Sequence, residues 1–272
     1  MTSPRKSKSP LEFVESLTDS HPPSPLSTGV GISPGPAGRA GPPSHVEVLI
    51  REGFGRWDRI TPFRLARIPL WLGGALKADG FVSKNLRSVP NWGNRYELLR
   101  ASFERAPAQG LVLEFGVFHG DSINRLAGYA SHRTDPRVFG FDSFEGLPED
   151  WFIGIPRESF RTGPLPDVRP NVTLVKGLFQ DSVVPFLKDH PEPAAFVHID
   201  SDLYSSAQYV LETLHSHGRL TGHPVIVFDD FFGGPSWWTG GEYLAFHQFT
   251  ERHQVPFEYI GQTLGDQLAV VL

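Results

Sequence analysis

Six acidic side chains stand where apolar runs break off: Glu114 in LEFGVFHGDS, Asp142 in GFDSFEGLP, Asp200 and Asp202 in HIDSDL, and Asp229 and Asp230 in VIVFDDFF. One Asp at such a place is explained by strand endings and helix caps. A whole series on one edge is different, because adjacent carboxylates repel unless a cation or ligand donors offset them. Asp200, Asp229 and Asp230 together offer three hard oxygen ligands, the preference of Mg2+, with room left for water or a substrate oxygen. Asp202, two residues beyond Asp200, is close enough to take a proton from a metal-bound hydroxyl. A bound cation lowers the pKa of such a hydroxyl as it does that of water, which is the activation that transfer of a methyl group to oxygen requires.

The other acids go with a glycine loop. Gly116 and Gly120 allow a tight turn and a close approach of backbone to a ligand, and Asp121 or Ser122 can cap the helix that follows. Asp142 ends the next strand, where an acid can accept the two hydroxyls of a ribose. That suits NAD and S-adenosylmethionine alike. A dinucleotide loop, however, wants a third glycine so that pyrophosphate can rest on the helix N-terminus, and Val117, Phe118 and His119 stand there instead. The bulky loop fits a phosphate-free, cationic ligand, and Glu114 ahead of it would meet the ammonium of a methionine moiety.

The elements that must position these residues follow from periodicity. Strands are predicted at Leu111–Phe115, Val138–Asp142, Val172–Val175, Ala194–Asp200 and Val225–Asp229, each followed by a helix, which makes a doubly wound parallel sheet. PFEYIGQTLGDQLAVVL at the end reads as a hairpin that adds an antiparallel strand. Ligands of such sheets bind beyond the carboxyl ends of the strands, the edge the acids occupy. Residues 109–272 therefore form the binding and catalytic domain. Residues 46–108 have helical spacing with scattered aromatics, clearest over Gly93 to Ala106, and read as a helical cap or lid. Residues 1–45 hold nine Pro, nine Ser and five Gly, too little apolar surface to offset ordering entropy, and read as a disordered tail with one short apolar island, LEFVESL.

With 39% hydrophobic and 12% aromatic residues, the chain can bury a large core. No apolar run approaches the roughly 18 residues that cross a bilayer, and MTSPRKSKSP lacks an apolar stretch behind its positive charges, so no membrane partner and a cytoplasmic location are expected. The formal charge of -5 argues against a general nucleic-acid binder. The absence of cysteine leaves Asp, Glu, His and backbone oxygen as metal ligands.

LEFGVFHGDS, GFDSFEGLPE, VKGLFQDSVVPFL, HIDSDLYSSAQYVLETL and VIVFDDFF together make Gly93 to Leu272 similar to the macrocin O-methyltransferase family, metal-dependent enzymes that methylate sugar hydroxyls of bacterial natural products. The resemblance implies a Rossmann-like class I methyltransferase fold with a mostly parallel seven-stranded sheet, S-adenosylmethionine as donor and a glycosylated small-molecule acceptor. It implies Mg2+ on Asp200, Asp229 and Asp230, with Asp202 as base. It also implies Asp142 and Ser143 at the ribose, and Gly177, Phe179 and Gln180 near the adenine. A homo-oligomer is left open. Leu178, His198 and the Gly- and aromatic-rich FFGGPSWWTGGEY depart from the pattern and bear on the acceptor more than on the chemistry.

Four rivals remain. A catechol-type phenol O-methyltransferase keeps the metal and changes the acceptor, with Phe231, Phe232, Trp237 and Trp238 as an apolar wall or as core. An NAD(P)-dependent oxidoreductase is opposed by the missing glycine. A methyltransferase-like binding scaffold is opposed by the intact acids. An iron oxygenase triad built on His198, Asp200 and His247 needs an all-β fold, so His198 is expected to be buried in its strand and His247 to lie on a helix face. His119, inside the loop, is either catalytic or packed.

Overall fold

The computed structural model of the chain describes residues 62–151 and 155–272. The expected tail over 1–45, with its LEFVESL island, lies outside the described residues, as does the start of the expected cap. In chain order the elements are α1 (Pro62–Asn85), β1 (Asn91–Trp92), α2 (Arg95–Arg105), β2 (Leu111–Phe115), α3 (Asp121–Ala130), β3 (Val138–Asp142), β4 (Val172–Lys176), α4 (Phe179–Asp189), β5 (Ala194–Ile199), α5 (Tyr204–Ser216), β6 (Val225–Phe228), α6 (Trp237–Gly240), α7 (Glu242–His253), β7 (Glu258–Thr263) and β8 (Leu268–Val271).

The strands form one sheet in the order β1-β7-β8-β6-β5-β2-β3-β4, in which β8 is antiparallel to both neighbours and every other pairing is parallel. This is the Rossmann-like class I methyltransferase arrangement with its C-terminal hairpin. The eighth strand, beyond the seven expected, is the two-residue edge strand β1. β2, β5 and β6 are buried along their whole length, as continuous apolar strands covered by helices on both faces must be. Two apolar clusters, one on each face, make the core. One is built on Phe115, Phe141, Val197, Phe228 and Phe246; the other on Leu98, Val112, Ile123, Phe196 and Val227.

The segment expected as a separate cap is partly woven into this sandwich. β1 pairs with β7, and Leu98, Leu99 and Phe103 of α2 are buried in the second cluster. α2 begins where it does because the Asn94 side chain accepts from the N–H groups of Tyr96 and Glu97 while Glu97 accepts from the N–H of Gly93, a reciprocal cap. α1 lies against the C-terminal half instead, with Phe81 among the rings of Phe232, Trp237, Tyr243 and Tyr259 and the Trp237 indole N–H donating to the Gly74 carbonyl.

Candidate active site

Because β2, β3, β4, β5 and β6 run parallel, the loops after them share one edge. Gly116 makes the closest join between two of these loops. Its φ is 95°, and a Cβ there would stand 1.7 Å from the carbonyl oxygen of Asp200. The glycine is thus required by the β5 loop that passes over it as well as by the turn. Asp200 and Asp229 follow their strands directly, and the N–H of Asp200 donates to Phe115 while that of Asp229 donates to Ile199. The next acid on the β5 loop, Asp202, has φ 61°, and the Leu203 N–H donates across it to the Ser201 carbonyl at 2.6 Å. A non-glycine residue at the apex of so tight a turn costs about 1–3 kcal/mol, strain of the kind held at functional sites.

The acids meet in pairs. Asp202, on the loop after β5, and Asp230, on the loop after β6, stand close enough to act on each other's ionisation. Burial pushes Asp202 up to about 6, and it pushes Asp230 well above the usual range, with Asp202 adding to it. Asp200 is likewise held well above the usual range by burial and then by Asp229. Beneath both loops lies Glu242, fully buried at the first turn of α7; its two oxygens accept the backbone N–H groups of Ser201 and of Asp230 at 3.0 and 3.1 Å.

Two cations answer these charges. Arg95, at the first position of α2, places Nη2 3.0 Å from Asp200 and Nη1 3.1 Å from Asp229. His198 sits between Glu114, 2.9 Å from Nδ1, and Asp229, 3.8 Å from Nε2. Burial disfavours its charge, but Asp229 and Glu114 outweigh burial and raise it to about 10. Atoms of His198, Asp200 and Asp229 lie within 4.8 Å of one another, near enough for one ion. Of these donors, Asp200 and Asp229 supply hard oxygens, while His198 is already engaged through Nδ1 by Glu114. Hard oxygens crowded enough to raise one another's pKa fit Mg2+, which would relieve the repulsion.

Beside the acids a cavity of about 320 Å³ opens between the strand ends. Of the expected residues, Gly116, Asp142, Ser143, Gly177, Phe179, Gln180, Asp200 and Asp202 line it, as do His119 and Leu178. Asp142 Oδ2 accepts the N–H groups of Val117 and Phe118, and Oδ1 that of Phe144. A carboxylate has about four acceptor sites, so one remains, enough for one ribose hydroxyl rather than two. Gly120 forms the N-terminal boundary of α3 with φ 86° and no side-chain cap, while Asp121 lies in the first turn. The Ser122 hydroxyl, expected as a cap, donates to Glu114 instead.

Glu114 does not reach the cavity. It is fully buried, facing His198 across the β2–β5 register, with Ser122 on its other oxygen. A carboxylate in the middle of a central strand is tolerated because it is paired on both oxygens. Phe231, Phe232 and Trp237 are likewise core, buried to 4% exposure or less, and Trp238 packs against that core, so the segment supplies no acceptor wall. The rings at the cavity mouth are Phe118 and Phe160, about 40% exposed and edge to face at 5.7 Å. His198 is buried in its strand and His247 lies on α7 among Phe81, Tyr243 and Phe257, as expected of each. Sequence reasoning missed Arg95, which looks like any charge on an exposed helix, and Glu242, whose signal was an acid after Gly240-Gly241 opening an apolar helix.

Residues 113–231, from β2 to the loop after β6, match a family model described as a methyltransferase domain. Among curated proteins, none matches the chain. Solved structures with similarity include the O-methyltransferase NovP, at 22% identity over 64% of this chain and 78% of that one with a TM-score of 0.47. CalS11, a calicheamicin methyltransferase, is 18% identical over 84% and 91%, with a TM-score of 0.49. TomG from Streptomyces achromogenes, an O-methyltransferase of tomaymycin synthesis solved with S-adenosylmethionine, is 18% identical over 84% and 96%, with a TM-score of 0.40. Residues 113–231, somewhat under half of the chain, are thus similar to a methyltransferase domain, and the strand order around them is that of a class I fold.

Proposed function

We propose that this methyltransferase is an O-methyltransferase of a small hydroxylated acceptor, a glycosyl group by its resemblance, using S-adenosylmethionine and Mg2+. The observation that carries the reading is the position of Asp202: it lines the cavity from a strained turn, with Asp230 of the neighbouring loop near enough to act on its charge. S-adenosylmethionine supplies an electrophilic methyl group, and Mg2+ lowers the pKa of an oxygen bound to it. Asp200, Asp229 and Asp230 would hold the ion. Asp142 would accept a ribose hydroxyl, with Ser143 beside it. Gly177, Phe179 and Gln180 would flank the base, and Gly116 and Gly120 would shape the loop over the amino-acid moiety. Asp202 would take the acceptor's proton, and a carboxyl pushed up to about 6 is near the range in which a base works at neutral pH. Glu114 acts one step away, by keeping His198 charged beside Asp229.

Phe118 and Phe160 at the mouth favour a second reading, in which the acceptor is a flat catechol-type ring. Calorimetry with S-adenosylmethionine and with NAD, each with Mg2+ and with chelator, followed by methyl transfer to glycosides and to catechols, tests both. Binding of S-adenosylmethionine with Mg2+-dependent transfer to a glycoside is expected. Binding of NAD alone would end the methyltransferase reading, and transfer confined to catechols would select the second.

A further inference from the structure

We propose that Arg95 is an exchangeable counter-ion of the acidic cluster: it holds Asp200 and Asp229 together, and a divalent cation settles between those carboxylates only by displacing it. The inference rests on the metal-dependent reading above and adds a residue that opposes the metal. Its basis is the fork itself. Nη2 and Nη1 each take one carboxylate, 3.0 and 3.1 Å away, from the loops after two different strands. The contacts are to Oδ2 of each residue, and an ion bridging those same two atoms would stand about 2.0–2.1 Å from them, against the guanidinium already seated there, where two like charges so close repel.

Of the two cations at the cluster, Arg95 is the one able to leave. The His198 side chain is 2% exposed and fixed in β5 by Glu114, whereas the Arg95 side chain is 36% exposed, stands on the first turn of a helix and lines the cavity. Its departure needs new rotamers and no backbone movement. While in place it keeps two repelling carboxylates at a fixed separation, so the ligands are preorganised and the ion's affinity is held down by the chain's own charge.

The two effects have opposite signs in a variant, which separates this role from a merely structural ion pair. Mn2+ binding to the full chain, followed by paramagnetic resonance of the free ion, would be compared in the parent protein, Arg95→Ala and Arg95→Lys, alongside thermal melts. If only about a tenth of the molecules have the fork open, removing it tightens Mn2+ about tenfold. Arg95→Ala is expected to melt lower without metal, to bind Mn2+ more tightly and to gain more from it on melting. Arg95→Lys, which keeps the charge but cannot span both carboxylates, is expected between the two and carries the comparison if the alanine variant does not fold. Equal or weaker Mn2+ binding by both variants overturns the inference and leaves the metal reading standing. Failure of all three proteins to bind Mn2+ removes both.

Discussion

Asp202 joins three conditions that a base needs: access to the cavity, a pKa raised to about 6 by burial, and a backbone that cannot relax without losing its turn. Asp202→Asn removes the proton acceptor and keeps the size, so binding of S-adenosylmethionine and Mg2+ by calorimetry should survive while kcat falls by about a hundredfold to ten-thousandfold. Turnover at the parent rate would sink the assignment. Gly116→Ala acts on the neighbouring loop for a different reason. At φ 95° an alanine is already strained, and its methyl would fall on the Asp200 carbonyl oxygen. One methyl group should therefore displace together Asp200, the metal ligand proposed above, and the loop proposed to hold the cofactor. Loss of both bindings in a protein that keeps its circular dichroism is the expected outcome, and undisturbed Mg2+ binding would show that the two loops are not coupled.

At the scale of elements, Phe81 ties the described part of α1 to the C-terminal half. Phe81 makes edge contacts with Phe232, Trp237, Tyr243 and Tyr259, and Phe231 is tilted 6.3 Å away. Phe81→Ala should cost about 1.5–2.5 kcal/mol in urea denaturation, roughly half of what a fully buried ring costs. A loss under about 0.5 kcal/mol, the size of an ordinary surface change, would mean that α1 is not part of the cooperative unit. The five central strands and the terminal hairpin were legible in the sequence because apolar runs and turn residues are local signals. The acids were legible for the same reason, since each ends a run. What decides their partners is register: Glu114 meets His198 only because β2 and β5 align those two residues, and no local pattern carries that alignment. Glu114 was accordingly placed at the ligand when it belongs in the core. FFGGPSWW was equally opaque, because a ring that lines a site and a ring that fills a core have the same composition. Arg95 was opaque for the reason that Glu114 was: its partners Asp200 and Asp229 lie more than a hundred residues away, and no local pattern carries that contact.

For the molecule as a whole, the acidic cluster should make stability, pH and metal one linked property. Asp200, Asp202, Asp230 and Glu242 are all raised in the folded state, so the native protein holds protons that the unfolded chain releases. Stability from these groups is therefore greatest at low pH and falls as pH rises from the unfolded carboxylate range, near 4, through their folded values, about 6 for Asp202. His198 has the same sign: raised to about 10, it contributes stability that is full below its unfolded value near 6.5 and is lost as pH rises through 10. A divalent cation bound as proposed above would replace those protons, so it should stabilise most where they are absent. At a concentration a hundred times its Kd, Mg2+ should add about 2.7 kcal/mol, or roughly 5–10 °C in Tm, at pH 8. At pH 5, where protons compete for the same oxygens, the gain should shrink to roughly 2 °C or less. Chelator should reverse the shift at pH 8 and leave the melt at pH 5 nearly unchanged. An equal Mg2+ shift at both pH values would mean that the ion binds elsewhere than these coupled carboxylates, because only groups that trade protons for metal make the gain depend on pH.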